Sequence, residues 1–254
     1  MSDEVLVERG NGVLVITLNR PEVKNAINQA VATGIDEAIT AFEVDDELPV
    51  AIITGARNTF CAGMDLKEFA IGMVLPQTSR GFAGMTNVPP KKPIIAAVEG
   101  YALAGGFEIV LACDLIVAAT NATFGLPEVT RGLCPTAGGL LRIATRIPYH
   151  QAMEVVLTGG SFDARRAAEL GLVNRLVEPG QALAAARELA AKIAANAPLA
   201  VQAAKQVMAE SPGWPASERF TRQDVITDPV RVSQDATEGA RAFAEKRKPV
   251  WQRR

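Results

Sequence analysis

The chain has 254 residues but only one histidine, His150, three cysteines and 5% aromatic residues. A single histidine excludes zinc sites built on two or more of them. It also leaves any Ser–His–Asp triad dependent on His150 alone. Cys61, Cys113 and Cys134 are odd in number and widely spaced, so they form neither a disulfide framework nor a metal knuckle. There is no apolar run of about 18–20 residues free of charges and Gly/Pro breaks, so no membrane-spanning helix is expected. The opening MSDEVLVERG has acids where a signal peptide needs a positive start and an apolar run. A cytoplasmic, reducing location and no membrane partner are therefore expected.

Strong charge of one sign is also missing. The net charge is −2 and the pI about 5.6, so no global basic field invites nucleic acid. The average conceals an asymmetry. Residues 239–254 hold Arg241, Lys246, Arg247, Lys248, Arg253 and Arg254 against Glu245 alone, five net positive charges on a body with seven net negative ones. Charge alone favours a solvated terminus there; a small anionic ligand or a partner subunit also fits.

What remains is ordinary globular composition, 48% hydrophobic and 21% charged. A chain of this length buries about 70–75% of its unfolded surface and needs no staple. Val5–Val7 and Val13–Leu18 flank Gly10-Asn11-Gly12 and read as a hairpin. Asn28 suits the cap of a helix running to about Phe42, with Val31, Ile35, Ala38 and Ile39 on one face. Apolar strands at 50–54, 94–98 and 115–118 alternate with helical stretches, which argues an α/β fold with both sheet faces covered. Beyond Gly138 helices dominate, at about 138–146, 149–157, 163–170, 180–195, 198–209 and 233–246, interrupted by one short strand at Leu172–Leu176. Ala182–Ala195 suits either core or a subunit contact, with core favoured. Residues 71–93 mix Gly, Pro and Met. Their Met73, Val74, Leu75, Phe82 and Met85 are too apolar for a plain connector and suggest a pocket wall.

The chemistry-bearing stretches are glycine turns and carboxylates. In GYALAGGFE (100–108) two glycines sit where a buried strand meets a helix. They permit close approach by a ligand, and the free N–H groups of a helix start favour an oxyanion or phosphate. Neither a G-x-G-x-x-G nor a GK[ST] motif is present. FCAGMDLKEF (60–69) is a second glycine turn before a helix, with Asp65 placed to cap it. Cys61 reads as a small buried residue and His150 as a surface or satisfied core residue. Glu108 alone fits a first-turn acid, and Glu128, after Pro127, fits a helix start. Together, two glutamates in apolar settings also fit a pair flanking one reacting centre, with burial raising both pKa values.

RPEVKNAI (20–27), FCAGMDL (60–66), GYALAGGFE (100–108), FGLPEVTRGL (124–133), Thr136-Ala137-Gly138-Gly139 and EGARAFAEKRKPVW (238–251) occur in this order. The ordered set resembles the enoyl-CoA hydratase (crotonase) family over residues 5–251. The resemblance implies an α/β fold, a crotonase-like spiral of ββα units over residues 1–195. It implies a helical trimerisation and coenzyme A-covering region over 196–254, in a homotrimer or homohexamer. It implies an acyl-coenzyme A thioester as substrate, with coenzyme A entering only as part of it, and no metal or redox cofactor. By position, the backbone N–H groups of Met64 and Gly105 match the family's oxyanion hole, and Glu108 and Glu128 its catalytic glutamates. Lys24, Ala26, Ala62, Asp65 and Leu66 match segments that wrap the coenzyme A. Phe243 and Lys246 match a C-terminal element that often reaches it, in many members from a neighbouring subunit.

The implied reaction is enoyl-CoA hydration, a reversible syn addition of water to a 2-trans-enoyl thioester. Ala104, Phe107 and Leu126 depart from the commonest hydratase pattern, and GGFE also resembles carnitinyl-CoA dehydratases. A Δ3,Δ2-enoyl-CoA isomerase working through Glu128 alone and a non-catalytic acyl-CoA-binding scaffold are the other readings.

Overall fold

The computed structural model describes residues 3–70, 72 and 75–254. Met73 and Val74, expected at a pocket wall, lie outside the described residues. The hairpin forms as expected: β1 (Val5–Gly10) pairs antiparallel with β2 (Val13–Leu18). Asn11 and Gly12 take the positive φ that such a two-residue turn needs. Helix α1 (Gln29–Val44) starts where Asn28 Oδ1 accepts the Val31 N–H at 2.9 Å. Strand β3 (Val50–Gly55), the short helix α2 (Leu66–Ala70) and a small hairpin of β4 (Gln77–Thr78) and β5 (Gly81–Phe82) follow. Then come β6 (Ile94–Val98), β7 (Tyr101–Leu103), α3 (Gly105–Ala112), β8 (Leu115–Ala119), β9 (Thr123–Gly125) and a 3₁₀ helix at Pro127–Arg131. The rest comprises α4 (Gly139–Arg146), α5 (Tyr149–Thr158), β10 (Ser161–Asp163), α6 (Ala164–Glu169), β11 (Arg175–Val177), α7 (Ala182–Ala194), α8 (Pro198–Glu210), α9 (Arg219–Arg231) and α10 (Gln234–Ala244).

The larger sheet has the order β1-β2-β3-β6-β8-β11, parallel from β2 onward. The second has the order β10-β9-β7. It is continued by parallel bridges from Ala102 to Cys61 and from Met64 to Ile27. Each turn of the chain thus lays one strand in the large sheet, a short one in the second sheet, and then a helical element. This is a spiral of ββα units, as expected.

Alternation along the strands divides the core. Leu14, Ile16 and Leu18 face inward with Ile27, Ile35, Ile39 and Phe60. Val13 and Val15 face outward with Ile52, Ile95 and Val117, against Ala182, Ala186 and Ala190 of α7. Those three alanines are fully buried, so the core reading of this helix holds. Their small side chains on one helical face let α7 lie close against the sheet.

Three expectations need correction. The strand expected at Leu172–Leu176 is β11 at Arg175–Val177, because Leu172 closes α6 instead, its N–H donating to Ala167 O. The second-sheet strands β7, β9 and β10 were not expected; three residues are too few to show a period. Helix α9 was not expected either. It buries none of its residues and contains Pro229, so it carries no apolar stripe.

Residues 75–93 are tethered to α1. Arg80 pairs with Asp36 and Glu43, and the Gln29 side chain bonds to the Gln77 backbone in both directions. The basic terminus is likewise no free tail. Asp235 is buried and accepts the N–H groups of Gln252 and Arg253. Trp251 donates to Ala195 O, Arg247 grips Glu238 and Arg253 pairs with Asp46.

Candidate active site

The two glycine turns are packed onto each other. Chain 61–64 runs beside β7, with Cys61 N–H donating to Tyr101 O and Leu103 N–H to Cys61 O. Gly63 has φ +101, and a Cβ there would lie 2.8 Å from Ala104 Cβ and 3.2 Å from Gly105 N. Only glycine lets the Met64 amide come this close to the start of α3. Ile27 N–H donates to Gly63 O and Asp65 N–H to Ile27 O. The intervening Met64 N–H is left over, as is that of Gly105 at the helix start. Among the described residues neither donates to a protein acceptor. Met64 and Gly105 both line one cavity of about 530 Å3. The N-terminal end of α3 adds a favourable dipole for negative charge there.

Both glutamates line the same cavity. Glu108, in the first turn of α3, does not serve its own helix. Its Oε1 accepts the N–H groups of Ala137 and Gly139, each at 2.8 Å, and so caps α4. A Cβ at Gly139 would stand 2.9 Å from Glu108 Oε1 and Cγ, so glycine is what allows this contact. Burial raises the Glu108 pKa, opposed by the two N–H groups and by Arg142. Glu128 sits in the 3₁₀ helix after Pro127. It is buried, and its Oε2 has no partner. Burial, reinforced by the nearby Glu108 charge, pushes its pKa up to about 7, while its own backbone N–H and Arg131 pull the other way. A partnerless buried carboxyl oxygen is costly unless a proton or a ligand meets it.

Of the other expected residues, Lys24, Ala62 and Leu66 line the cavity. Lys24 Nζ stands 5.0 Å above the Tyr101 ring. Ala26 and Asp65 stand behind the wall: Arg20 binds Ala26 O and the Asp65 carboxylate. Leu75 and Phe82 line the cavity, whereas Met85 is buried in the core. Phe243 and Lys246 are exposed and are not brought to this cavity within the chain. Cys61 is core, its thiol pushed up to about 12 by burial, and His150 is on the surface of α5. A larger cavity of about 890 Å3 between the end of α3 and helices α8 and α9 contains neither glutamate.

Sequence reasoning missed Ala137 and Gly139 as donors to Glu108, and Arg131 and Cys134 as cavity residues. The first pair lies about 30 positions along the chain from Glu108 and leaves no local signal. Arg131 was accessible, because residues three apart on a 3₁₀ helix eclipse one another.

The double-sheeted spiral, with a helix start and two carboxylates turned to one pocket, is the crotonase fold. The chain belongs to the enoyl-CoA hydratase/isomerase family, whose model matches residues 8–254. An enoyl-CoA hydratase structure from Mycobacterium tuberculosis is 55% identical, with a TM-score of 0.97 and 100% of both chains covered. By sequence, mevalonyl-coenzyme A hydratase of Aspergillus fumigatus is 43% identical over 94% of this chain and 91% of its own length. Carnitinyl-CoA dehydratase of Salmonella enteritidis is 43% identical over the full length of both.

Proposed function

We propose that the protein is an enoyl-CoA hydratase, a hydro-lyase that adds water reversibly to a 2-trans-enoyl-CoA and gives a 3-hydroxyacyl-CoA. The observation that carries this reading is the pairing of two unpaired backbone N–H groups with two unlike carboxylates in one cavity. Relatives named for CoA-thioester hydration and dehydration support it, since these are one reaction in two directions.

The thioester oxygen accepts the N–H groups of Met64 and Gly105. Attack of water at C3 moves electron density onto that oxygen, and preorganised donors in a dry site stabilise the enolate that develops. Glu108, held by the Ala137 and Gly139 amides, is the carboxylate that takes a proton from water as its oxygen bonds to C3. Glu128, whose pKa burial pushes up to about 7, gives its proton to C2. The pair ends with one proton, as it began, so dehydration is the same path reversed.

Lys24, Ala62 and Leu66 hold the pantetheine and nucleotide, backed by Ala26 and Asp65. Phe243 and Lys246 serve a neighbouring subunit's coenzyme A. The exposed Phe220, Val225 and Val232 around the unburied α9 suit subunit contacts. We therefore assign residues 196–254 to assembly of a homotrimer, alone or as a dimer of trimers, and residues 1–195 to the catalytic spiral.

The test is spectrophotometric, with 2-enoyl-CoA thioesters of different chain length beside a 3-enoyl-CoA. Hydration of at least one 2-enoyl thioester is expected. Conversion of the 3-enoyl thioester with no hydration would instead assign an isomerase. Binding with no turnover would assign a scaffold.

A further inference from the structure

The cavity contains a cation to which the hydration steps assign no proton and no bond. Arg131 closes the 3₁₀ helix that begins at Pro127. It stands three residues after Glu128, and on such a helix these two side chains share a face. Both line the cavity. The Arg131 side chain is exposed, its Nη1 donates to Pro127 O at 3.3 Å, and no carboxylate pairs with it among the described residues. The glutamates act at C2 and C3, so the wall that carries them faces the acyl chain. One turn past Glu128, that wall ends in a guanidinium at the edge of solvent. The rest of the lining includes apolar Leu75, Phe82 and Leu133, and the other cation there, Lys24, stands over the Tyr101 ring. A plain alkyl chain would leave the guanidinium without a partner, and a cationic acyl group would meet a like charge. A carboxylate matches its planar donor fork.

We propose that Arg131 is a specificity-determining residue that selects acyl groups ending in a carboxylate, so that the substrate is the mono-CoA thioester of an unsaturated dicarboxylic acid. The proposal rests on the hydratase reading for the reaction but not for the binding preference.

The test uses the full chain and three saturated thioesters: glutaryl-CoA, butyryl-CoA and 4-trimethylammoniobutyryl-CoA. Affinities are measured by calorimetry for the wild type and Arg131→Gln. Wild type is expected to bind glutaryl-CoA about tenfold tighter than butyryl-CoA, the effect of one charge-assisted hydrogen bond, and the cationic thioester more weakly than both. Arg131→Gln should erase that order and leave butyryl-CoA affinity unchanged. Equal affinities in the wild type would overturn the proposal. So would an equal loss for all three thioesters in the variant, which would assign Arg131 to the coenzyme A phosphates. A parallel assay compares hydration of glutaconyl-CoA with that of crotonyl-CoA. If neither is hydrated while the binding order holds, the reaction reading fails and the assignment of Arg131 stands.

Discussion

Glu108 and Glu128 face one cavity from two unlike environments. Glu108 Oε1 holds two backbone N–H groups at 2.8 Å, whereas Glu128 Oε2 is buried without a partner. Burial raises both pKa values, but two N–H groups and Arg142 oppose it at Glu108, whereas the Glu108 charge adds to it at Glu128. That difference is the basis on which we propose Glu108 as the base and Glu128 as the acid.

The first consequence is a pH profile. With Glu128 near 7, kcat/KM for hydration should fall as pH rises through about 7, because the acid loses its proton. Dehydration of the 3-hydroxyacyl thioester should fall over the same range, since the pair carries one proton in both directions. A profile flat to about pH 9 would contradict the assignment.

Stability should respond too. The folded-state pKa of Glu128 is raised from 4.5 to about 7. Its stabilising contribution is therefore complete below the unfolded value near 4.5 and is lost as pH rises through about 7. Glu128→Gln removes this dependence. The variant should gain up to about 3 kcal/mol over wild type at pH 8 relative to pH 4.5, read from melting temperatures at both pH values. A difference between the two proteins that does not change with pH would argue against a buried, ionising Glu128.

Gly139 touches Glu108 so closely that a methyl group would displace the carboxylate. Its backbone lies at the start of α4, where alanine is tolerated. Gly139→Ala should leave circular dichroism unchanged and lower kcat by about 100-fold, the effect expected of a misplaced catalytic group. A fully active variant would show that the Glu108 position is not critical.

Ala104 takes φ 51 and ψ −129 at the start of α3, a region glycine enters freely. Strain of ~1–3 kcal/mol is expected there, against ~0.5–1 kcal/mol of added chain entropy for glycine. Ala104→Gly should raise the urea midpoint by a stability gain of about 1 kcal/mol. A lower midpoint would show that the methyl packing against Gly63 outweighs the strain.

The terminus carries its own test. Arg241 and Arg247 are committed to Glu245 and Glu238. This leaves Lys246 and Lys248 as the cations of the matched segment without an ion-pair partner among the described residues, and Lys246 is the one that matches the coenzyme A element. Lys246→Ala should weaken coenzyme A binding a few-fold at low salt and less at high salt. Unchanged affinity by calorimetry would remove Lys246 from the site. Deleting residues 243–254 would not be a clean test, because it also removes Trp251 from Ala195 and the backbone amides that Asp235 holds.

Much of this was legible in the sequence. Buried apolar runs alternating with helices gave the large sheet, and Asn28 gave the start of α1. The two glycine turns marked the positions of Met64 and Gly105. What was hidden depends on distance along the chain or on weak local patterning. Glu108 finds its donors at Ala137 and Gly139 only once α3 and α4 pack. Strands as short as Tyr101–Leu103 exist because neighbouring turns of the spiral pair with them. The terminal cations read as a free tail because their acids, Glu238 and Asp46, lie outside the basic segment.

The most direct measurement is crotonyl-CoA hydration, followed by loss of the conjugated thioester absorbance, in wild type, Glu108→Gln, Glu128→Gln and the double variant. Each single change should lower the rate by at least about 100-fold, and the double change by little more than either, because base and acid act as one unit. A Glu108→Gln protein that still moves the double bond of a 3-enoyl-CoA at the wild-type rate, from an enzyme that never hydrated crotonyl-CoA, would contradict the account.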